Sequence, residues 1–324
     1  MRVRSKSAGL RERIDRAWSR IEADIIHTSL EHSSSLSRLT GAEVYLKWES
    51  EQKTGSFKFR GALNKLRSLS AEEKRRGVVS ASTGNHGLGL SLAAGMEGIR
   101  LTLVLPETVA AEKRRRLEEH PVEIIRYGES CEKAELRARK LAEETGRIYV
   151  SPYNDYDIIA GQGTIGREVI AGLSRVDAVI VPVGGGGLIA GIAGYIKAVD
   201  SRIRVIGVEP AHSAFMAASL KAGRIVEIPE KETIAEAVAG GIEPGSVTFP
   251  LCRELVDDIV LVGEEEITKA MAHLFAEHKR MVEGAGALSL AALLGTTARF
   301  QGLKTVLIIS GGNIARSVFE GAVS

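Results

Sequence analysis

Ala178-Val-Ile-Val-Pro-Val-Gly-Gly-Gly-Gly187 is the stretch on which the reading of the fold turns. Its first six residues, 178–183, form a continuous apolar run of the kind that makes a strand buried on both faces, as in a parallel sheet. Four consecutive glycines follow, and 188–199 then reads as an apolar helix. Backbone N–H groups at such a strand-to-helix turn converge on an anion, and the missing side chains let a phosphate approach. The same stretch admits a second reading. Gly185-x-Gly187-x-x-Ala190 matches the dinucleotide fingerprint, and Glu209 ends the next strand about 20 residues on, where a ribose-binding acid belongs. On these residues alone, a nicotinamide dinucleotide and a monophosphate cofactor both stay open.

Outward from this stretch the pattern repeats in both directions. Strands are expected at 43–47, 78–80, 101–105, 122–126 and 148–150 on one side, and at 203–208, 259–262 and 305–309 on the other. Helical periodicity falls between them, at 58–69, through Ala94, at 109–119, 130–145, 163–173, 264–277 and 287–294. Ser70 with Glu73 has the spacing of a capping box. Leu10, Ile14, Trp18 and Ile21 form a helical stripe, so the Arg-rich N-terminus is expected to lead into a structural helix rather than to be a transit peptide. Residues 222–250 read as irregular. Strand and helix alternating over short connections predict an α/β protein with parallel-type sheets in two lobes: 1–66 with 148–324 as the large lobe, 67–147 as the small one.

Composition narrows the function classes. The chain has 324 residues, 44% of them hydrophobic and 26% charged, as in an ordinary soluble globular protein. A net charge of +2 gives no field suited to nucleic acid or an anionic membrane, and no apolar run reaches the ~18 residues of a membrane span. The two cysteines, Cys131 and Cys252, are far apart, which argues against a disulfide framework or zinc site and suits a cytoplasmic setting. The 35 glycines fall largely in clusters, which points to tight turns or close backbone approach to a ligand.

Lys58 is the candidate reactive residue. It lies in Lys53-Thr-Gly-Ser-Phe-Lys-Phe-Arg-Gly-Ala62, at the start of a helix for which Gly55 is expected to make the turn and Ser56 the cap. The helix dipole and apolar neighbours both disfavour its charged form. A lysine neutral near pH 7 is a nucleophile that forms Schiff bases with aldehydes. Ser82-Thr-Gly-Asn-His-Gly87 is a second strand-to-helix turn, able to hold another anion such as a carboxylate. Within it Asn85 offers a neutral amide to a phenolate-like oxygen, and His86 is a candidate base or, through its amide, part of the anion site. Ser310-Gly-Gly-Asn313 places a hydroxyl at the carboxyl end of another strand, where open α/β sheets bind ligands.

Together these stretches, with Ser151-Pro-Tyr-Asn-Asp155 and Glu283-Gly-Ala-Gly286, resemble the fold-type II pyridoxal-phosphate enzymes, the tryptophan synthase β-like fold, and within them the serine/threonine dehydratases (threonine ammonia-lyases) and serine racemases. They occur in the family's order over most of the chain. The resemblance implies pyridoxal 5'-phosphate as cofactor, held by Lys58 as a Schiff base. Phe57 would pack on the ring and Asn85 would bond its 3-oxygen. Gly184, Gly185, Gly186 and Gly187 would hold the phosphate, Ser310 the pyridine nitrogen, and Asn154 would line the cofactor. Ser82, Thr83, Gly84 and His86 would receive the substrate carboxylate, and Glu283 would be the acid near the reacting substituent. The implied reaction is β-elimination from a small β-hydroxy amino acid, L-threonine or L-serine, to a 2-oxo acid and ammonia, in a homodimer or homotetramer. A serine racemase, or a dehydratase of 3-hydroxyaspartate or a phenylserine, is the nearby alternative. A NAD-linked oxidoreductase and a non-catalytic binding protein are the distant ones.

This chain departs from the family's pattern in three places. Thr83 stands where racemases carry a serine. Glu209 matches one metal ligand of a cation site, but Phe215 falls near where a second acid is expected, so weak dependence on divalent metal is expected. Ala239-Gly-Gly-Ile-Glu-Pro244 replaces the usual acidic turn.

Overall fold

The computed structural model describes residues 6–229 and 231–323. The basic residues Arg2 and Arg4 of the N-terminus lie outside them. The described residues form ten strands: β1 (Leu30–His32), β2 (Glu43–Trp48), β3 (Val78–Ser80), β4 (Leu101–Leu105), β5 (Val122–Arg126), β6 (Ile148–Tyr149), β7 (Ala178–Pro182), β8 (Arg204–Pro210), β9 (Asp258–Val262) and β10 (Lys304–Ile309). They make a six-stranded sheet in the order β1-β2-β10-β7-β8-β9 and a four-stranded sheet in the order β5-β4-β3-β6. Every pairing is parallel except β1 with β2. The small sheet is carried by the expected 67–147 segment together with Ile148–Tyr149 just beyond it.

The central strand β7 is buried along its whole length, as its unbroken apolar sequence requires. Val179 and Val181 belong to the core on one face of the sheet, with the helices Leu10–Ile21, Tyr156–Gly172 and Gly187–Val199. Ala178 and Ile180 belong to the core on the other face, with the helices Glu264–His278 and Gly284–Gly295. In the Leu10 helix the stripe is Leu10, Ile14, Ala17 and Ile21, with Trp18 at its margin. No described helix is long and apolar enough to cross a membrane.

Three local expectations are corrected, and one helix is added. Ser56 does not cap the Lys58 helix. It pairs as a bridge with Gly311, and Phe57 is the residue before the first helical turn. The helix expected at 163–173 begins at Tyr156, because Asp155 accepts hydrogen bonds from the amides of Asp157 and Ile158 and fixes an earlier start. The 222–250 region is not wholly irregular. Glu236–Val238 is a 3-10 turn and Thr248–Leu255 a helix. Phe215–Ala222 is a further helix, capped by Glu209, whose two carboxylate oxygens accept from the amides of Met216 (2.8 Å) and Ala217 (2.7 Å).

The Lys58–Ser68 helix lies between the lobes. A side chain at Gly89 would collide with the backbone of Lys58 and Phe59, so the glycine lets the Asn85–Glu97 helix of the small lobe touch the Lys58 helix main chain to main chain. On the opposite side Arg60 is fully buried. It forms a two-pronged pair with Glu49 at 2.7 and 2.8 Å and reaches Glu168 at 2.5 Å, and Lys47 meets the other oxygen of Glu168 at 2.5 Å. Two cations and two anions thus compensate one another where water is excluded. Removing one partner from such a group leaves a buried charge unpaired. Arg60→Met is therefore expected to cost ~3–5 kcal/mol in urea unfolding; a loss under ~1 kcal/mol would show that the cluster does not hold the helix.

Candidate active site

The carboxyl ends of β7 and β10, the starts of four helices and the 237–241 segment enclose one pocket. Its walls include Phe57, Lys58, Asn85, Tyr153, Gly184, Gly185, Gly186, Gly187, Glu283 and Ser310. Nine residues singled out in the sequence therefore meet there, drawn from positions more than 200 apart in the chain.

The Lys58 amine donates to the carbonyl of Pro152 at 2.9 Å and sits 5.2 Å from the centre of the Phe57 ring. Lys58 keeps some accessible surface because it lines the pocket. The protein packed around its amine pushes the pKa down to about 8, against the pull of the Glu283 carboxylate. Burial pushes Glu283 the other way, up to about 7, and the Asn85 amide, Lys58 and Arg116 oppose the rise. An amine with a depressed pKa and a carboxyl with a raised one therefore share a single cavity, as in sites that run acid and base chemistry near neutrality.

The glycine turn sits at the N-terminus of the Gly187–Val199 helix, whose first N–H groups have no partner within the helix. Gly186 has φ 85°, which a side chain would strain. A side chain there would also strike Met216, Cys252 and Thr248. A side chain at Gly185 would enter the ring of Tyr153. Donors at a helix start, with no side chain between them and the pocket, suit a phosphate. Ser310 is buried at the end of β10, its hydroxyl 3.3 Å from the Ala285 carbonyl. A depressed lysine, an anion cradle, a neutral amide and a neutral hydroxyl in one cavity fit a phosphorylated aldehyde with a ring nitrogen.

Asn85 opens its helix and is held from both sides. Its Nδ2 donates to Glu283 Oε1 at 2.7 Å and its Oδ1 accepts from Asn313 at 2.7 Å. Ser82, Thr83 and Gly84 are half-buried in the turn just before it and are not part of the pocket wall proper. Gly84 faces open space.

Three expected residues are placed elsewhere. The His86 ring turns into the core, with Nε2 3.2 Å from the Ser80 hydroxyl and 3.3 Å from the Val150 carbonyl. Burial and the Lys58 charge lower its pKa to about 3, so the ring is neutral and is no base for the pocket. Asn154 does not line the pocket; its Oδ1 accepts from the Val247 amide at 2.9 Å. Glu209 is spent on the helix cap, burial raises its pKa to about 7, and no group of three potential metal-ligating side chains occurs among the described residues.

Other wall residues were not named as site residues, although Ala239–Gly241 fall in the stretch noted as replacing the family's acidic turn. Tyr153 covers the glycine turn and accepts from the Glu243 amide at 2.9 Å through its hydroxyl. Ala237, Val238, Ala239, Gly240 and Gly241 form the outer wall. That wall is attached through main-chain amides: Gly240 to Ser213, Glu243 to Tyr153, Val247 to Asn154. Its local signs were the paired glycines at 240–241 and the departure of Ala239–Pro244 from the family's acidic turn.

Comparison with known proteins shows the family. The model of a family described as pyridoxal-phosphate dependent enzyme matches residues 21–312. A catabolic L-threonine dehydratase of Escherichia coli is 45% identical over 92% of this chain and 91% of its own. Among solved structures, a threonine deaminase isoform of Solanum lycopersicum superimposes with a TM-score of 0.93 at 34% identity, covering 98% of this chain and 93% of that one. A maize serine racemase does so with a TM-score of 0.91 at 34% identity, covering 96% of each. With the pocket, the sheet order and the sequence in agreement, the chain belongs to the pyridoxal-phosphate dependent enzyme family of fold type II.

Proposed function

We propose that the protein removes water from L-threonine or L-serine and releases a 2-oxo acid and ammonia. The observation that carries this is the pairing of Lys58 and Glu283 in one pocket, with pKa values of about 8 and about 7. The names of the 39–45% identical relatives, threonine ammonia-lyases and dehydratases, support the same reading.

The bound cofactor supplies an electron sink for the bond broken at Cα. The work of the chain's own residues divides as follows. The amides of Gly184 to Gly187 would hold the phosphate, and the Ser310 hydroxyl would meet the ring nitrogen. A hydroxyl would not keep that nitrogen protonated as a carboxylate would, which would favour elimination over reactions that need a long-lived carbanion. The turn at Ser82, Thr83 and Gly84 receives the substrate carboxylate. The Lys58 amine takes the Cα proton. Glu283, protonated below about pH 7, gives a proton to the departing β-hydroxyl, which leaves as water. The released enamine then takes up water and loses ammonia.

A second reading, racemisation of serine, is favoured by the maize relative and by Thr83, the hydroxyl expected opposite Lys58. Against it, a β-branched threonine is restricted at χ1, and an unassisted hydroxyl is a poor acid near neutrality.

Three measurements test these assignments. Incubation of the holoenzyme with L-threonine and L-serine should yield 2-oxo acid and ammonia in equal amounts, with D-serine formed more slowly than pyruvate; D-serine outrunning pyruvate on chiral chromatography would make the protein a racemase. Lys58→Ala should lower turnover by about 10³-fold or more, since both covalent link and base are lost. In the apoprotein, labelling of Lys58 by a small aldehyde with borohydride should rise with pH, because only the neutral amine reacts, with its midpoint at about 8. Glu283→Gln removes the anion that raises this pKa, so the midpoint should move to lower pH; an upward move would refute the coupling.

A further inference from the structure

A chain of three hydrogen bonds runs from the surface of the small lobe into the pocket. Arg116, on the Ala111–Glu118 helix, donates to Asn313 Oδ1 at 2.7 Å. Asn313 Nδ2 donates to Asn85 Oδ1 at 2.7 Å, and Asn85 Nδ2 donates to Glu283 Oε1 at 2.7 Å. An amide can present either its oxygen or its nitrogen, so a pair of asparagines can point in two directions. A guanidinium can only donate. With Arg116 on its oxygen, Asn313 must turn its NH2 inward. The Thr54 carbonyl, which accepts from the same NH2 at 2.7 Å, favours the same orientation. Asn85 must then accept from Asn313 and donate into the pocket.

We propose that Arg116 is a positioning residue: by fixing the direction of the Asn313–Asn85 amide pair it makes Asn85 present a hydrogen-bond donor to the bound cofactor. This rests on the reading of the pocket as the cofactor site with Asn85 beside the ring oxygen. Were the pair reversed, Asn85 would turn a carbonyl toward Glu283 and toward a phenolate-like oxygen, two acceptors. Other contacts between the small lobe and the far wall do not set this direction. Lys113 meets Glu236 at 2.9 Å with both side chains at least half exposed, and Arg139 meets Glu243, away from both asparagines.

The relay and a plain tether make opposite predictions for Asn313→Asp. A carboxylate pairs with Arg116 at least as well as the amide does, but it has no donor for Asn85. The readout is the dissociation constant of pyridoxal 5'-phosphate, from absorbance titration of the apoprotein, which does not require turnover. A protein that binds the cofactor but makes no 2-oxo acid would thus sink the dehydratase reading without touching this test. Arg116→Met and Asn313→Asp are each expected to weaken binding about fivefold, the worth of one charge-assisted or well-placed hydrogen bond. Arg116→Lys, still a donor only, should stay within about twofold of the native protein. Because the two act in series, Arg116→Met added to Asn313→Leu, which leaves neither an amide to orient nor an unpaired charge, should bind no worse than Asn313→Leu alone. Native affinity in Asn313→Asp, or multiplicative losses in the double variant, would overturn the proposal. Melting temperatures of the variants separate loss of folding from loss of orientation, and Arg116→Lys preserves the test if Arg116→Met does not fold.

Discussion

The buried pairing of Arg60 with Glu49 and Glu168 is the constraint on which the site's geometry depends. Arg60 is two residues after Lys58, so the two side chains leave the helix about 200° apart. One faces the pocket and the other is clamped in the core. Rotation of the helix about its axis would move the Lys58 amine and at the same time pull Arg60 from its two carboxylates. Charges that are costly to bury bring little net stability when they are paired. What they supply here is a single rotational setting for the helix that carries the reactive amine.

Around that fixed helix the two lobes divide the labour. The large lobe contributes the glycine turn, Ser310 and Glu283, all at the carboxyl ends of strands or the starts of helices. The small lobe contributes Asn85 and Arg116. The lobes touch closely where Gly89 lies against Lys58 and Phe59. Burial in the shared cavity penalises the charged form of each group, which is why an amine and a carboxyl that are ordinary in water shift toward one another in pKa.

Much of this was written locally in the sequence. A continuous apolar strand followed by four glycines has few structural solutions; Asn85, Glu283 and Ser310 each sit next to a glycine or at a strand end that fixes where they go, and Lys58 stands at the start of its helix. What escaped the sequence depends on tertiary direction. Asn154 and Tyr153 are neighbours in a loop, and nothing in their spacing says which of them faces the pocket. His86 follows Asn85, but one step around a helix carries its ring into the core. Arg116 belongs to the run Arg114-Arg115-Arg116, which looks like a solvated charged face until the helix is docked. The early part of the helix that begins at Tyr156 was hidden because Gly161, Gly163 and Gly166 break the apolar period, while in the structure they are the surface against which neighbouring helices pack. Ser56 has the chemistry of a cap, yet its loop runs along residues 310–312 instead.

The outer wall of the pocket is held in an unequal way. Its own main-chain amides at Gly240, Glu243 and Val247 are the donors, and the fixed body supplies the acceptors on Ser213, Tyr153 and Asn154. Every residue except proline has such an amide. These three attachments therefore survive a change of the side chains on the wall. The main-chain part of this anchorage is indifferent to sequence, whereas the ion pairs of Glu236 with Lys113 and of Glu243 with Arg139 are not.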